Sequence, residues 1–121
     1  MRHHTYWVYI LTNKHRTTLY IGMTNHLELR LWQHRWGEKP GFAQRYHLNR
    51  LVWFEQFRDV KSAIACEKRL KGWLRRRKVA LLEATNPQWL DLSADWGKEE
   101  ERGNPTWDTE EMISDSSLRS E

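Results

Sequence analysis

Short apolar blocks separated by polar links fill the first part of the chain. Residues 6–11 read Tyr-Trp-Val-Tyr-Ile-Leu, and residues 19–21 read Leu-Tyr-Ile. Aromatic and β-branched residues in such runs are typical of buried strands. The link over residues 12–18 is polar and has turn chemistry at Asn13. We therefore expect an antiparallel hairpin whose second strand stops at Gly22.

Helical spacing begins after this hairpin. Thr24 or Asn25 is expected to cap a helix that Gly37 ends. By the i, i+3, i+4, i+7 rule, one face of this helix carries Leu27, Arg30, Leu31 and His34.

A longer helical pattern follows a third predicted strand, Leu51–Phe57, with Asp59 as the N-cap. Glu67 lies on the face that also carries Ala63, Ile64 and Leu70. A glycine inside a helix costs about 1 kcal/mol relative to alanine. The helix therefore either breaks near Gly72 or runs on to Glu83, and the sequence leaves both open.

The predicted order is β-β-α-β-α-α, an α/β (α+β) fold in which helices flank a small three-stranded sheet, mixed or antiparallel. With 121 residues the chain has room for one modest core. Asn86-Pro87 is expected to close the globular part, and the domain with its C-terminal stretch is taken as residues 1–96. Residues 97–121 lack apolar periodicity and are predicted to form an acidic, disordered tail.

Composition excludes several classes of protein. No apolar run approaches the roughly 18 residues of a membrane helix, and the first residues lack the apolar block of a secretory signal. Cys66 is the single cysteine, which leaves neither a disulfide framework nor a cysteine-based zinc site. We expect a reducing, cytoplasmic setting without membrane contact.

Charge is divided unevenly along the chain. Residues 1–86 carry 17 Lys and Arg against 6 Asp and Glu, whereas residues 87–121 carry 3 against 10. A basic body of this size indicates a polyanionic partner, most simply nucleic acid. The acidic tail is interpreted as a solubilising extension, with competition for the basic face as the alternative.

Eight tryptophans are many for this length. Four fall in or beside the predicted elements and are expected in or near the core: Trp7, Trp32, Trp53 and Trp73. Trp89, Trp96 and Trp107 lie in the C-terminal stretch, where docking of that stretch onto the domain is favoured over base stacking.

The chain offers the groups that phosphodiester hydrolysis requires. The reaction needs an activated water, positive charge at the phosphate oxygens and a carboxylate that holds a divalent cation. The candidates are Tyr9 and Tyr20 on neighbouring strands, Arg30 and His34 on the next helix, and Glu67 on a later helix. Each also has a structural alternative: core packing for the tyrosines, a solvated helix face for Arg30 and His34, and an i, i+4 pair with Lys71 for Glu67.

These residues stand in a familiar arrangement. Val8-Tyr9-Ile10 followed by Leu19-Tyr20-Ile21-Gly22 resembles the paired signature of the GIY-YIG nuclease family. Residues 23–34 resemble the first helix of that family, and residues 65–73 resemble its metal-binding helix. Residues 63–73 and 86–93 are similar to the small stand-alone bacterial members, which are related to the N-terminal nuclease domain of the excision-repair excinuclease.

The resemblance implies a role for each candidate. Tyr9 would take a proton from the attacking water, Tyr20 would orient the water or the phosphate, and Arg30 would contact the phosphate oxygens. His34 would contact phosphate or transfer a proton, and Glu67 would be the sole protein ligand of Mg²⁺ or Mn²⁺, with waters completing the shell. Gly22 would let the backbone turn tightly beside the site.

The implied activity is a metal-dependent endonuclease acting on DNA, branched, damaged or single-stranded DNA included, with RNA as a less expected substrate. A domain this small has little surface for base readout, so weak sequence specificity is expected, with targeting by a second copy or a protein partner. The alternative is a non-catalytic nucleic-acid-binding module with the same fold. Sequence-independent backbone contacts are predicted for Lys68, Arg69, Lys71, Arg75, Arg76, Arg77 and Lys78.

The chain departs from the family pattern at two positions. Val8-Tyr9-Ile10 replaces the usual Gly-Ile-Tyr, so only the tyrosine of the first triplet is matched. Met23 stands where the repair-nuclease branch has a lysine, which removes one phosphate contact or proton-transfer aid. Whether Asn86 supports the site, as an asparagine does in many relatives, is left open.

Overall fold

The computed structural model describes residues 5–36 and 47–96, with the side chains of residues 34–36 outside the description. It contains strands β1 (Tyr6–Thr12), β2 (Leu19–Thr24) and β3 (Arg50–Phe57). Its helices are α1 (Leu27–Trp36), α2 (Val60–Lys71) and α3 (Arg75–Thr85). The predicted order and fold class are confirmed. The predictions for the tail, residues 97–121, and for Trp107 and Gly37 lie outside the described residues.

The sheet is antiparallel throughout, with the strand order β2-β1-β3. Central strand β1 pairs Tyr9 with Gly22 on one side and with Phe54 on the other. Because side chains alternate across a strand, β1 sends successive residues to opposite faces. A register shift at Ile10/Leu11 adds a residue on β3 and bends this pairing.

Each face of the sheet has its own buried cluster. On one face, the strands contribute Val8, Ile10 and Ile21 to a cluster with residues of α2 and α3. The α2 residues in this cluster include Ala63 and Leu70. The opposite face holds a cluster of Tyr9, Leu11, Tyr20, Leu27, Leu31, Leu48 and Leu51, to which α1 contributes the two leucines at 27 and 31. Among the described helices, none is long and apolar enough to span a membrane.

The hairpin link is closed by Asn13, as its turn chemistry predicts. The Asn13 side-chain oxygen accepts hydrogen bonds from the backbone N–H groups of Thr17 and Thr18, at 2.9 and 3.2 Å. The expected end of β2 at Gly22 is wrong, because the strand continues to Thr24. Gly22 is a strand residue, and its small size matters for a different reason given below.

The helix boundaries follow local capping chemistry at two of three places. Asp59 caps α2 by accepting from the Ser62 N–H at 2.8 Å, as predicted. This hydrogen bond and a second one from the Ser62 hydroxyl lower the pKa of the Asp59 carboxyl. Gly72 ends α2, which settles the open alternative in favour of a break. The predicted cap of α1 is not formed as expected: Thr24 Oγ1 accepts from His26 N at 3.1 Å, a turn just before the helix.

The chain does not leave the domain at Asn86-Pro87. Leu51 accepts a hydrogen bond from Leu92 N at 2.7 Å and donates one to Asp91 Oδ1 at 3.1 Å, so the segment after α3 runs along β3. Trp89 is buried, and Trp96 packs against the tyrosine-containing cluster. The docking interpretation of these two tryptophans is confirmed.

Asn86 fastens this segment. Its side-chain N–H groups donate to Val52 O at 3.1 Å and Leu90 O at 2.9 Å, and its oxygen accepts from Leu90 N at 2.9 Å. The residue is 4% exposed. Its amide therefore holds α3, β3 and the segment after α3 together, a structural task.

We expect Asn86→Ala to lower the free energy of unfolding by about 2–4 kcal/mol, because three hydrogen bonds are lost and buried backbone groups lose their partners. Denaturant unfolding followed by tryptophan fluorescence measures the change. Asn49→Ala is the comparison, since Asn49 is exposed. An equal, small effect of the two substitutions would contradict the structural role of Asn86.

Candidate active site

The two motif tyrosines form one buried pair. Tyr9 and Tyr20 are both 0% exposed, and their ring centroids lie 6.5 Å apart. They belong to the cluster that α1 covers, with Trp7 and Trp96 packed against it. The hairpin register sets this pairing, because Tyr9 lies opposite Gly22 and Tyr20 lies opposite Leu11 on the same face.

Gly22 lets the Tyr9 ring lie across β2. A Cβ atom added at Gly22 would collide with Cζ and Oη of Tyr9, at a separation that no side chain tolerates. The hydroxyl end of Tyr9 therefore rests directly over the Gly22 backbone. The expectation that Gly22 makes a tight turn is wrong: the glycine is needed because an aromatic ring occupies the space of its side chain.

Helix α1 carries Arg30 and His34. Leu27 and Leu31 anchor the helix in the tyrosine cluster, and Arg30 is half-buried between them in sequence. This places the Arg30 backbone on the same side of the sheet as the two tyrosines. His34 lies in the last turns of α1, and its side chain is outside the described part.

Glu67 lies on the sheet-facing side of α2. It is 3% exposed and is buried together with Ala63, Cys66 and Leu70, as its helical face predicts. Its Oε2 atom is 3.2 Å from Lys71 Nζ. The i, i+4 pair is therefore formed, but it is not a surface pair, because the carboxylate is removed from water.

The proposed groups occupy both faces of the sheet. The tyrosines lie beneath α1, whereas α2 packs on the opposite face. Strand β2 is at the edge of the sheet, and α2 contacts β2 as well as the other two strands. The Tyr9 ring crosses from central β1 over β2, and α2 contacts β2 from the opposite face. Tyr9 and α2 therefore both reach the β2 edge of the sheet, each on its own face.

This combination of sheet, helices and residues has a counterpart among known domains. The family model of the GIY-YIG catalytic domain matches residues 5–80. The chain belongs to the GIY-YIG family. The matched range includes both tyrosines, the helix candidates at positions 30, 34 and 67, and the basic start of α3. The resemblance seen in the motifs is confirmed.

A solved structure is also similar to this GIY-YIG chain. It is the solution NMR structure of the UPF0213 protein BH0048 from Bacillus halodurans, with 24% sequence identity and a TM-score of 0.49. The similarity covers 75% of this chain and 97% of the other. No curated protein matches the chain.

GIY-YIG nucleases in general depend on a divalent metal, and the Glu67 carboxylate is the group predicted to hold one here. Across residues 5–36 and 47–96, no group of three or more His, Cys, Asp or Glu side chains could form a metal cage. Mg²⁺ needs no such cage, since it binds through one or two carboxylates plus substrate phosphates and retains waters. A single buried carboxylate that already holds a cationic group, the Lys71 ammonium, fits that mode.

Seven residues were predicted to contact the DNA backbone, and in this GIY-YIG fold three of them lie on α2 and four on α3. Lys68 and Arg69 are exposed on α2, while Lys71 is engaged by Glu67. In the first turn of α3, Arg75 donates to the backbone oxygens of Arg16 and Thr17, and the Arg77 guanidinium lies 4.2 Å from the centroid of the Trp73 ring. Of the other two basic residues in this turn, Arg76 is exposed and Lys78 is half-buried.

The hairpin link contains basic residues that sequence reasoning left out. Lys14, His15 and Arg16 are exposed, and Arg75 brings them beside the start of α3. The available signal was the composition of Asn13–Thr18, which has two cationic residues and no acidic one. That signal was weak on its own, because nothing local indicates which distant segment the link contacts.

Proposed function

We propose that this GIY-YIG domain is a divalent-metal-dependent endonuclease that hydrolyses DNA phosphodiester bonds with weak sequence specificity. The observation that carries the proposal is the Tyr9 hydroxyl end held over Gly22 on β2. This contact gives a structural reason for both the tyrosine and the glycine of the paired signature. Core packing alone explains the burial of a tyrosine, but it does not require a glycine opposite the hydroxyl.

In the proposed reaction the water oxygen bonds to phosphorus and the bond from phosphorus to the 3′ oxygen breaks. The Tyr9 oxygen takes the proton of the attacking water as its own hydroxyl proton passes to solvent, and the 3′ oxygen leaves with a proton from solvent. Such proton transfer contributes about 10²–10⁴-fold when the group is well placed. The Tyr20 hydroxyl, in the same cluster, orients that water or the phosphate. The Arg30 guanidinium, with its planar fork of donors, neutralises charge on the phosphate oxygens. Glu67 holds Mg²⁺ or Mn²⁺, which when bound supplies positive charge at the reacting phosphate.

The burial of the tyrosines requires an opening step. Both side chains are 0% exposed, so a phosphate reaches them only after the surrounding side chains move. Trp96 packs against this cluster from the C-terminal segment, and its ring centroid lies 6.3 Å from that of Phe54, which is 39% exposed. We assign the opening to the Trp96 side chain, which packs against the cluster from outside the sheet and its helices.

The proposed substrate follows from charge. Residues 1–86 carry 17 Lys and Arg against 6 Asp and Glu, a balance that attracts a polyanion. The exposed cations on α2 and α3 suit contacts with the DNA backbone, which carry no sequence information. DNA is favoured over RNA as the substrate because the chain belongs to the GIY-YIG family. Branched, damaged or single-stranded DNA is included, with a second copy or a protein partner providing targeting.

A second candidate function is a nucleic-acid-binding module without catalysis. The buried tyrosine pair and the Glu67–Lys71 ion pair favour it, because both describe groups engaged with the protein rather than with substrate. The two candidates share the fold and the basic surface. They differ in whether a phosphodiester bond breaks when a divalent cation is added.

The deciding experiment treats supercoiled plasmid and labelled branched, flapped, single-stranded and RNA oligonucleotides with the purified protein. Reactions contain Mg²⁺, Mn²⁺ or EDTA. We expect nicking of plasmid and cleavage of DNA oligonucleotides with either cation and none with EDTA. Binding without cleavage under every condition would replace the endonuclease proposal with the binding module.

The Glu67–Lys71 pair gives a separate prediction. The Lys71 ammonium is 3.2 Å from Glu67 Oε2 and competes with any other cation at that carboxylate. We expect Lys71→Met to tighten Mn²⁺ binding by about tenfold, or roughly 1.4 kcal/mol, because a competing charge at close range is removed. Isothermal titration without DNA measures the affinity, and Lys68→Met on the same helix is the control. Unchanged Mn²⁺ affinity in Lys71→Met would show that Glu67 does not bind the metal.

A further inference from the structure

We infer that the β1–β2 link and the first turn of α3 form one composite DNA-backbone surface, with Lys14 and Arg76 as its direct phosphate contacts. The inference rests on the proposed function for the identity of the polyanion. It adds a docking surface that lies outside the paired signature and the metal-binding helix. The surface is defined by Lys14, His15, Arg16, Arg75 and Arg76, and is called the link–α3 surface below.

Two segments far apart in sequence are fastened together in this surface. Arg75 Nη2 donates to Arg16 O at 2.5 Å, and Arg75 Nη1 donates to Thr17 O at 3.2 Å. Arg16 in turn donates to Gln88 O at 3.1 Å, and its guanidinium lies 5.3 Å from the centroid of the Trp89 ring. The link therefore has a fixed position against α3 and the segment that follows it.

This fastening concentrates positive charge, which is costly without a partner of opposite sign. All five residues are exposed. In the first turn of α3 there is no acidic residue, and Leu74 provides no side-chain cap, so cationic side chains stand beside the positive end of the helix dipole. A polyanion lying across the link and this turn offsets both charges.

Two members of the surface are available for this task. Arg16 and Arg75 are occupied in holding the segments together. Among residues 5–36 and 47–96, no carboxylate pairs with Lys14 or Arg76. These two side chains can therefore bind phosphate without breaking a contact of the fold.

The link is continuous with the two strands that carry the tyrosines. The link begins after Thr12 and ends before Leu19, the residue that precedes Tyr20 on β2.

The test measures DNA binding in EDTA, where cleavage plays no part. Fluorescence anisotropy of a short labelled duplex is recorded over a range of KCl concentrations for the wild type and for Lys14→Ala/Arg76→Ala. We expect the double substitution to weaken binding at low salt about tenfold and to reduce the slope of log affinity against log salt by about 2. The matched control is Arg58→Ala/Lys61→Ala, which removes two exposed cations beyond the other end of β1, where Tyr6 pairs with Phe57.

The outcomes separate this inference from the proposed function. Equal losses of slope in the two double variants would overturn the link–α3 surface and leave a diffuse charge effect. Absence of DNA binding by the wild type would overturn it as well. A wild type that binds with the expected slope difference and never cleaves counts against the endonuclease alone. A circular dichroism spectrum equal to that of the wild type is required of each variant, and within the described part of the chain neither Lys14 nor Arg76 makes a hydrogen bond or an ion pair.

Discussion

Glu67→Gln is expected to abolish metal-dependent cleavage, with a fall of at least about 10³-fold, while DNA binding in EDTA stays within about twofold of the wild type. Glutamine has the same shape as glutamate but carries no charge, so under the proposed function the position loses its affinity for Mg²⁺ or Mn²⁺. DNA binding depends on exposed cations, and Glu67 is buried. Cleavage of plasmid and anisotropy with the same duplex measure the two quantities separately.

Glu55→Gln is the matched control for this prediction. Burial raises the pKa of the Cys66 thiol, and the negative charge of Glu55 raises it further. Cys66 precedes Glu67 in the chain, so Glu55 is a second carboxylate in the same neighbourhood. Glu55 is exposed and belongs to no motif. Cleavage by Glu55→Gln at the wild-type rate, together with its loss in Glu67→Gln, assigns the effect to one carboxylate. Wild-type cleavage by Glu67→Gln would refute the metal assignment.

Folding of Glu67→Gln needs its own check, since Lys71 loses its ionic partner. Removal of one member of a buried pair leaves the other charge without compensation. Here the cost is limited because the Lys71 side chain is 18% exposed and its flexible stem can carry the ammonium to water. We expect cooperative unfolding to be retained, so that lost cleavage reports on chemistry.

The element order could be predicted because it depends on neighbours in sequence. Asn13 closes the hairpin link with groups at positions 17 and 18, and Asp59 caps α2 through Ser62. Such contacts depend on residue type and spacing alone. The burial of Glu67 was likewise visible in the 3.6-residue period of its helix.

Apart from the cap of α1, the failures involve contacts between distant segments. Gly22 was expected to stop a strand, because a glycine after an apolar run ordinarily does so. Its actual task depends on the hairpin register, which places Tyr9 opposite it. Asn86 bonds to Val52 O, 34 positions away, and Arg75 bonds to Arg16 O, 59 positions away. No local pattern specifies partners at those separations, so the structural task of Asn86 and the link–α3 surface become visible only in the fold.

The candidate site shows the same division. The motif selected Tyr9, Tyr20, Arg30 and Glu67 by order along the chain, and the fold places the tyrosines and Arg30 on one side of the sheet. The fold adds two features that the order does not contain: the lysine held at the Glu67 carboxylate and the complete burial of the tyrosine pair. Under the proposed function, both describe a resting state that changes before a phosphate is bound.

Tyr9→Phe tests that chemistry with the smallest possible change. Removal of the hydroxyl alone should lower the cleavage rate by about 10²–10⁴-fold, the usual contribution of a placed proton acceptor. The ring that packs over Gly22 is kept, so cooperative unfolding should be retained. Tyr6→Phe is the control, since Tyr6 is on the same strand and packs against the cluster on the opposite face. Equal rates for the two variants would leave Tyr9 with a packing role only. A large loss of cleavage in Tyr9→Phe, with DNA affinity and Mn²⁺ affinity unchanged, would locate the effect in the bond-breaking step, because neither binding step would account for it.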